Sequence, residues 1–97
     1  MNIQALMKQA QNLQKEMLKT KEEIDLMEFT KTNGLVTVKV NGKKEILSVK
    51  IDSKEIDLDD IEALEDMVML CINLAFKDVD KVTESKMQKY SNIPGIF

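Results

Sequence analysis

The chain has no arginine, no histidine and no tryptophan, and one cysteine and one proline among its 97 residues. Each absence excludes some chemistry. Without histidine there is no imidazole base and no imidazole metal ligand. A single thiol, Cys71, rules out an internal disulfide and any multi-cysteine metal site, and it fits a reducing compartment. Without arginine, no guanidinium fork can clamp a phosphate or a guanine edge at two points. No apolar run approaches the roughly 18 residues of a membrane span; the most apolar window, Met67 to Phe76, is interrupted by Asn73. The opening residues, Met1-Asn2-Ile3-Gln4, lack the basic and apolar regions of a signal peptide. The expectation is a single soluble, cytoplasmic domain with no membrane partner.

What is present is lysine: 14 of them, against 17 acids, for a net charge of −3. That balance gives no global attraction to a polyanion. The distribution is uneven, however. Residues 55–66 hold seven acids and no lysine, whereas residues 32–54 hold five lysines and two acids.

Residues 2–27 contain no glycine or proline and are rich in Gln, Lys, Glu, Leu and Met, which predicts one long helix. Ile3, Leu6, Ala10, Leu13, Met17, Thr20, Ile24 and Met27 follow one another in alternating steps of three and four, a heptad seam with Thr20 as its polar member. Such a narrow seam suits another helix, most economically the same helix of a second copy; an amphipathic helix packed within its own chain gives the same spacing. Leu18 and Leu26 widen the apolar surface towards the end that is expected to meet the rest of the domain. On the outer face, Gln4, Lys8, Asn12, Lys15 and Lys19 fall at helical spacing with Gln11 alongside. These side chains can all donate to phosphate oxygens; a solvated exterior is the plainer reading of the same stripe.

Residues 28–52 predict a small antiparallel sheet of two to three strands. Glu28 to Thr32 begins a first strand, broken at Asn33-Gly34. Val36, Val38 and Val40 then alternate along a second, and Asn41-Gly42 signals a type I′ hairpin. Leu47, Val49 and Ile51 line one face of the returning strand. Lys43 and Lys44 sit at the hairpin tip, as a solubilising turn or as a polyanion contact.

A second helix is expected over residues 59–90. The acids at its start suit the positive helix end, with Asp59 as cap and Glu62 three residues on; a calcium loop would need a central glycine and a glutamate at position 12, and neither fits. Ile61, Leu64, Val68, Cys71, Ile72, Ala75, Val79 and Val82 form a wide stripe suited to covering the hairpin. Cys71 reads as a buried, inert thiol, with no charged residue within four positions. Beyond Phe76 the helix turns polar, so this end is expected to project. Residues 91–97 read as a flexible tail. No nucleophile–base pair, phosphate loop or ligand cluster is present, so no catalytic residue, metal, cofactor or small-molecule substrate is expected.

The ordered set of segments resembles the YbaB/EbfC family of bacterial nucleoid-associated DNA-binding proteins. The similarity lies in Leu6-Met7-Lys8-Gln9-Ala10-Gln11 with Leu13-Gln14-Lys15-Glu16-Met17, in Gly34 to Gly42, in Val49-Lys50-Ile51-Asp52, in Leu64-Glu65-Asp66-Met67-Val68 with Asn73 and Ala75, and in the ending Ile93-Pro94-Gly95-Ile96-Phe97. The resemblance implies one α+β domain over residues 1–97, with a long N-terminal helix, a small antiparallel sheet and a C-terminal helix. It also implies a homodimer of tweezer-like outline, associated with the nucleoid and binding duplex DNA with little sequence preference, with effects on nucleoid organisation and gene expression. Carried onto this sequence, it makes Lys8, Lys15, Lys19, Lys81, Lys86 and Lys89 the DNA-facing candidates. Ile3, Leu6, Ala10, Leu13, Met17 and Ile24 are the candidates for the dimer seam. The alternative is a chaperone or adaptor of coiled coils around a hairpin, binding protein and not DNA, which needs long seams on both helices.

Overall fold

The computed structural model describes residues 2–91. Helix α1 spans Ile3–Asp25, strands β1, β2 and β3 span Glu28–Asn33, Val36–Asn41 and Ile46–Ile51, and helix α2 spans Ile61–Met87. Short 3-10 turns cover Ser53–Glu55 and Gln88–Tyr90. The expected tail lies outside the described residues except for Ser91.

The sheet is antiparallel in the order β1-β2-β3. Directly opposed residues share a face, and Val36, Val38 and Val40 stand opposite Ile51, Val49 and Ile46. Leu47 is the extra residue of a bulge that shifts the register at Lys39/Val40. The three β2 valines are completely buried against Cys71, Ala75 and Val79 of α2. Each such burial contributes about 1.5–3 kcal/mol, so this small cluster is the centre of the fold. Phe29 packs beside it. The buried Cys71 thiol donates to the Lys31 carbonyl at 3.2 Å, at the edge of the same core.

The expected stripe on α2 does not cover the whole hairpin. Helix α2 lies over β1 and β2 and leaves β3 largely uncovered. On the shared inner face Ile46, Val49 and Ile51 remain 48%, 43% and 39% exposed. One helix about 10 Å wide covers two strands spaced at about 4.8 Å, not three.

Three local readings are corrected. The cap of α2 is Asp60, whose carboxylate accepts from the Ala63 backbone N–H at 3.2 Å, while Asp59 sits in a turn on Asp57. The hairpin tip is a four-residue loop in which the Asn41 side-chain oxygen accepts from the N–H groups of Lys43 and Glu45. Its positive φ falls at Lys44 (62°) and not at Gly42. Gly34 has the left-handed φ of 58° at the other turn. Gly42 serves a different need, because a Cβ there would land on the Ile24 carbonyl oxygen. The hairpin tip thus abuts the end of α1, held also by a 3.0 Å bond from Gly42 N–H to the Met27 carbonyl.

The polar end of α2 runs past the hairpin tip and lies against α1 instead of standing free. Its Asp80 pairs with Lys44 at the hairpin tip at 2.6 Å, level with the end of α1, and Tyr90 reaches back to Thr20. The two helices therefore run antiparallel over this stretch. It is the first half of α1 that overhangs, and the molecule is an elongated body of 72 × 18 × 14 Å.

Candidate nucleic-acid interface

Helix α1 begins at Asn2, whose side chain accepts from the Gln4 N–H at 3.0 Å. Its C-terminal half finds its helical partner inside the chain. Ile24 is buried, and Leu13, Met17 and Thr20 are half-buried, in the half of α1 that runs beside α2. Thr20, the one polar position in the seam, has a reason to be polar: its hydroxyl shares a 3.2 Å hydrogen bond with the hydroxyl of Tyr90, a residue that is itself completely buried. Ile24 is accordingly packed within its own chain and is not free for a second one. Ile3, Leu6 and Ala10 lie on the overhanging half and are exposed. Leu18 and Leu26, expected to widen the packed surface, are exposed as well, Leu26 at 82%.

The overhang carries the most distinctive surface. From Ile3 to Lys15 it presents Lys8 and Lys15 with Gln4, Gln9, Gln11, Asn12 and Gln14, and not one acid. At about 1.5 Å per residue this is roughly 20 Å of helix whose exposed polar groups are cationic or amide. Its first turn is also free of acids, so nothing offsets the positive end of the helix dipole there.

All six lysines expected to face DNA are exposed. Lys8, Lys15 and Lys19 lie on α1, Lys81 and Lys86 on α2, and Lys89 in the turn after it. The fold brings Lys15 and Lys19 into the same stretch as Lys86 and Lys89, because that is where the helices run side by side. Among the described residues, Lys8, Lys15, Lys19, Lys81 and Lys86 form no ion pair, while Lys31 and Lys44 are held by Asp78 and Asp80 at 3.2 and 2.6 Å. Lys89 differs from the other five candidates. Its ammonium lies 3.4 Å from Glu16 and 5.1 Å from the centre of the Tyr90 ring. The Tyr90 phenol first, and the Glu16 carboxylate second, hold it above the usual lysine range. Sequence reasoning missed this pairing, since its partners stand 73 residues apart; the flanking position of Glu16 beside the lysine stripe was its only trace.

The hairpin tip is engaged elsewhere. Lys44 pairs with α2, leaving Lys43 as its unpaired cation among the described residues. Also among the described residues, no helix is long and apolar enough to cross a membrane.

Known proteins resemble this chain in sequence and in fold. The model of the YbaB/EbfC DNA-binding family matches residues 1–93. A nucleoid-associated protein of Clostridium novyi is 45% identical over 102 residues, covering 100% of this chain and 90% of the relative. One from Caldanaerobacter subterraneus is 39% identical over 101 residues, covering 99% and 91%. The crystal structure of an uncharacterized protein from Helicobacter pylori superposes with a TM-score of 0.69, covering 93% of this chain and 97% of that one, at 23% identity, and so shares the fold. With a family match over nearly its full length and relatives of this similarity, the chain belongs to the YbaB/EbfC DNA-binding family.

Proposed function

We propose that the protein is a bacterial nucleoid-associated, cytoplasmic binding protein that holds duplex DNA through its phosphates, with little preference for sequence. Two copies act together, which doubles the contacts each small chain offers, and the bound DNA changes conformation with consequences for nucleoid organisation and gene expression. The observation that carries this reading is the acid-free lysine and amide surface of the α1 overhang. Lysine ammonium groups and side-chain amides donate to phosphate oxygens, which are the same along any duplex. No arginine is available for paired contacts to guanine. Lys8, Lys15 and Lys19 make the α1 contacts, and Lys81 and Lys86 extend them along α2. Lys89 contributes less, because Glu16 already occupies it.

The test is a titration with duplexes of unrelated sequence at several salt concentrations. If a dimer neutralises about six phosphates, log K against log salt falls with a slope of about −5, and unrelated sequences bind within a few-fold of one another. Changing Lys8, Lys15 and Lys19 together to Glu abolishes the complex at low salt. A flat salt response, or unchanged binding by the triple variant, overturns the reading.

A further inference from the structure

The α1 overhang carries two surfaces, and phosphate binding uses one of them. At 3.6 residues per turn, Lys8, Lys15 and Lys19 stand about half a turn round the helix from Ile3, Leu6, Ala10 and Leu13. A duplex held by the lysines therefore leaves the apolar row on the far side of the helix. That row is bare: Ile3 is 71% exposed, Leu6 is 47% exposed, and Ala10 is exposed as well. Leu13 is half-buried, where cover begins. The same row continues through Met17 and Thr20 to Ile24, and over that stretch it runs beside α2. One half of the seam thus has a helical neighbour within the chain, and the other half has none among the described residues.

We infer that the bare half pairs with the same stretch of a second copy, and that the pair bridges two segments of duplex DNA. Spacing and charge select that occupant. Steps of three and four suit a helix and not a strand or an extended peptide. The positions that border the row, Gln9 on one side and Met7 and Gln14 on the other, are uncharged, so a second copy meets no like charge at the contact. The nearest carboxylate, Glu16, lies beyond the paired stretch and is held by Lys89. With the two helices antiparallel about a two-fold axis, Ile3 of each copy meets Leu13 of the other, and Leu6 of each meets Ala10, a large side chain beside a small one. That self-complementarity is the requirement of an isologous contact. Pairing back to back turns the two lysine rows to opposite sides. One duplex cannot touch both rows, so each row holds its own. The paired row covers about one and a half heptads, fewer than the roughly three to four of an independent coiled coil. The contact is therefore weak between free molecules. It forms where DNA already holds both copies close together, at effective concentrations of roughly millimolar.

The inference rests on the lysine–phosphate reading above, and the test keeps the two apart. Intact protein is added to one duplex fixed on beads and a second, labelled duplex free in solution. Labelled duplex recovered on the beads measures bridging, and a gel shift with one short duplex measures binding alone. The double variant Leu6→Gln, Ala10→Gln changes only exposed side chains of the seam, and circular dichroism checks its fold. The expected result is capture of labelled duplex by the wild type and about fivefold less, or lower still, by the variant, with the affinity for the short duplex unchanged. A second measurement uses Ala10→Cys, the native Cys71 thiol being buried. Cross-linking of that variant by a short bis-maleimide should rise several-fold when duplex is added. Equal capture by the double variant, binding without capture by the wild type, or cross-linking that DNA does not raise overturns the inference and leaves DNA binding by the lysines intact. A wild type that gives no gel shift overturns both.

Discussion

At Gly42 the identity of one residue joins two parts of the fold. The Asn-Gly pair carries the usual hairpin signal, yet Gly42 does not adopt a positive φ; the left-handed position of that loop is Lys44. What demands glycine is proximity, since a Cβ would occupy the space of the Ile24 carbonyl oxygen. A backbone atom cannot rotate away as a side chain can. Gly42→Ala therefore forces the hairpin tip off the end of α1, a form of overpacking that costs about 1–3 kcal/mol. For a domain of this size each kilocalorie lowers the melting temperature by about 4–8 °C. Thermal unfolding followed by circular dichroism should show a loss of at least about 4 °C; an unchanged midpoint would mean that the tip and the helix end are not in contact.

Among the elements, the junction of α1 with the end of α2 shows what spacing can and cannot reveal. Alternation in β2 was legible because a period of two is local, and Val36, Val38 and Val40 are all buried as expected. The seam of α1 was equally legible as a face. Its partner was not, because a heptad pattern reports that a helix packs and not against what; for the half ending at Ile24 the partner is α2 of the same chain. The uncovered β3 was hidden for a related reason, since Val49 and Ile51 alternate just as the β2 valines do and only the width of α2 tells them apart. Of the candidate interface, the exposure of the lysines was legible from the missing acids, whereas the Lys89–Glu16 pair depends on a chain reversal that no local pattern encodes. The Thr20–Tyr90 bond offers a test of the junction. Tyr90→Phe keeps the ring and strands the half-buried Thr20 hydroxyl, which should cost about 0.5–1.5 kcal/mol in urea unfolding with the slope unchanged. Tyr90→Ala also removes the ring and should cost about 3–5 kcal/mol. Equal effects would mean that the hydrogen bond and not the packing joins the helices.

Taken over the whole molecule, the net charge of −3 opposes DNA binding only if charge acts from everywhere at once. The acids of residues 55–66 gather where α2 begins, beside the Asn33-Gly34 turn, at the end of the sheet away from α1. The α1 overhang lies at the other end of a 72 Å body. At physiological salt the screening length is about 8 Å, so several screening lengths separate the acid cluster from the lysines. Distance, not total, should then decide which carboxylate matters. Changing Asp57, Asp59 and Asp66 to Asn removes three negative charges and should alter duplex affinity by less than about twofold at 0.15 M salt. Glu16→Gln removes one charge, but it is the one that holds Lys89. That variant should bind DNA more tightly, with the log–log salt slope steeper by about 0.9 for each lysine released to a phosphate. Should the triple variant gain more affinity than Glu16→Gln, net charge would govern the encounter, and the segregation of charge along the molecule would count for nothing.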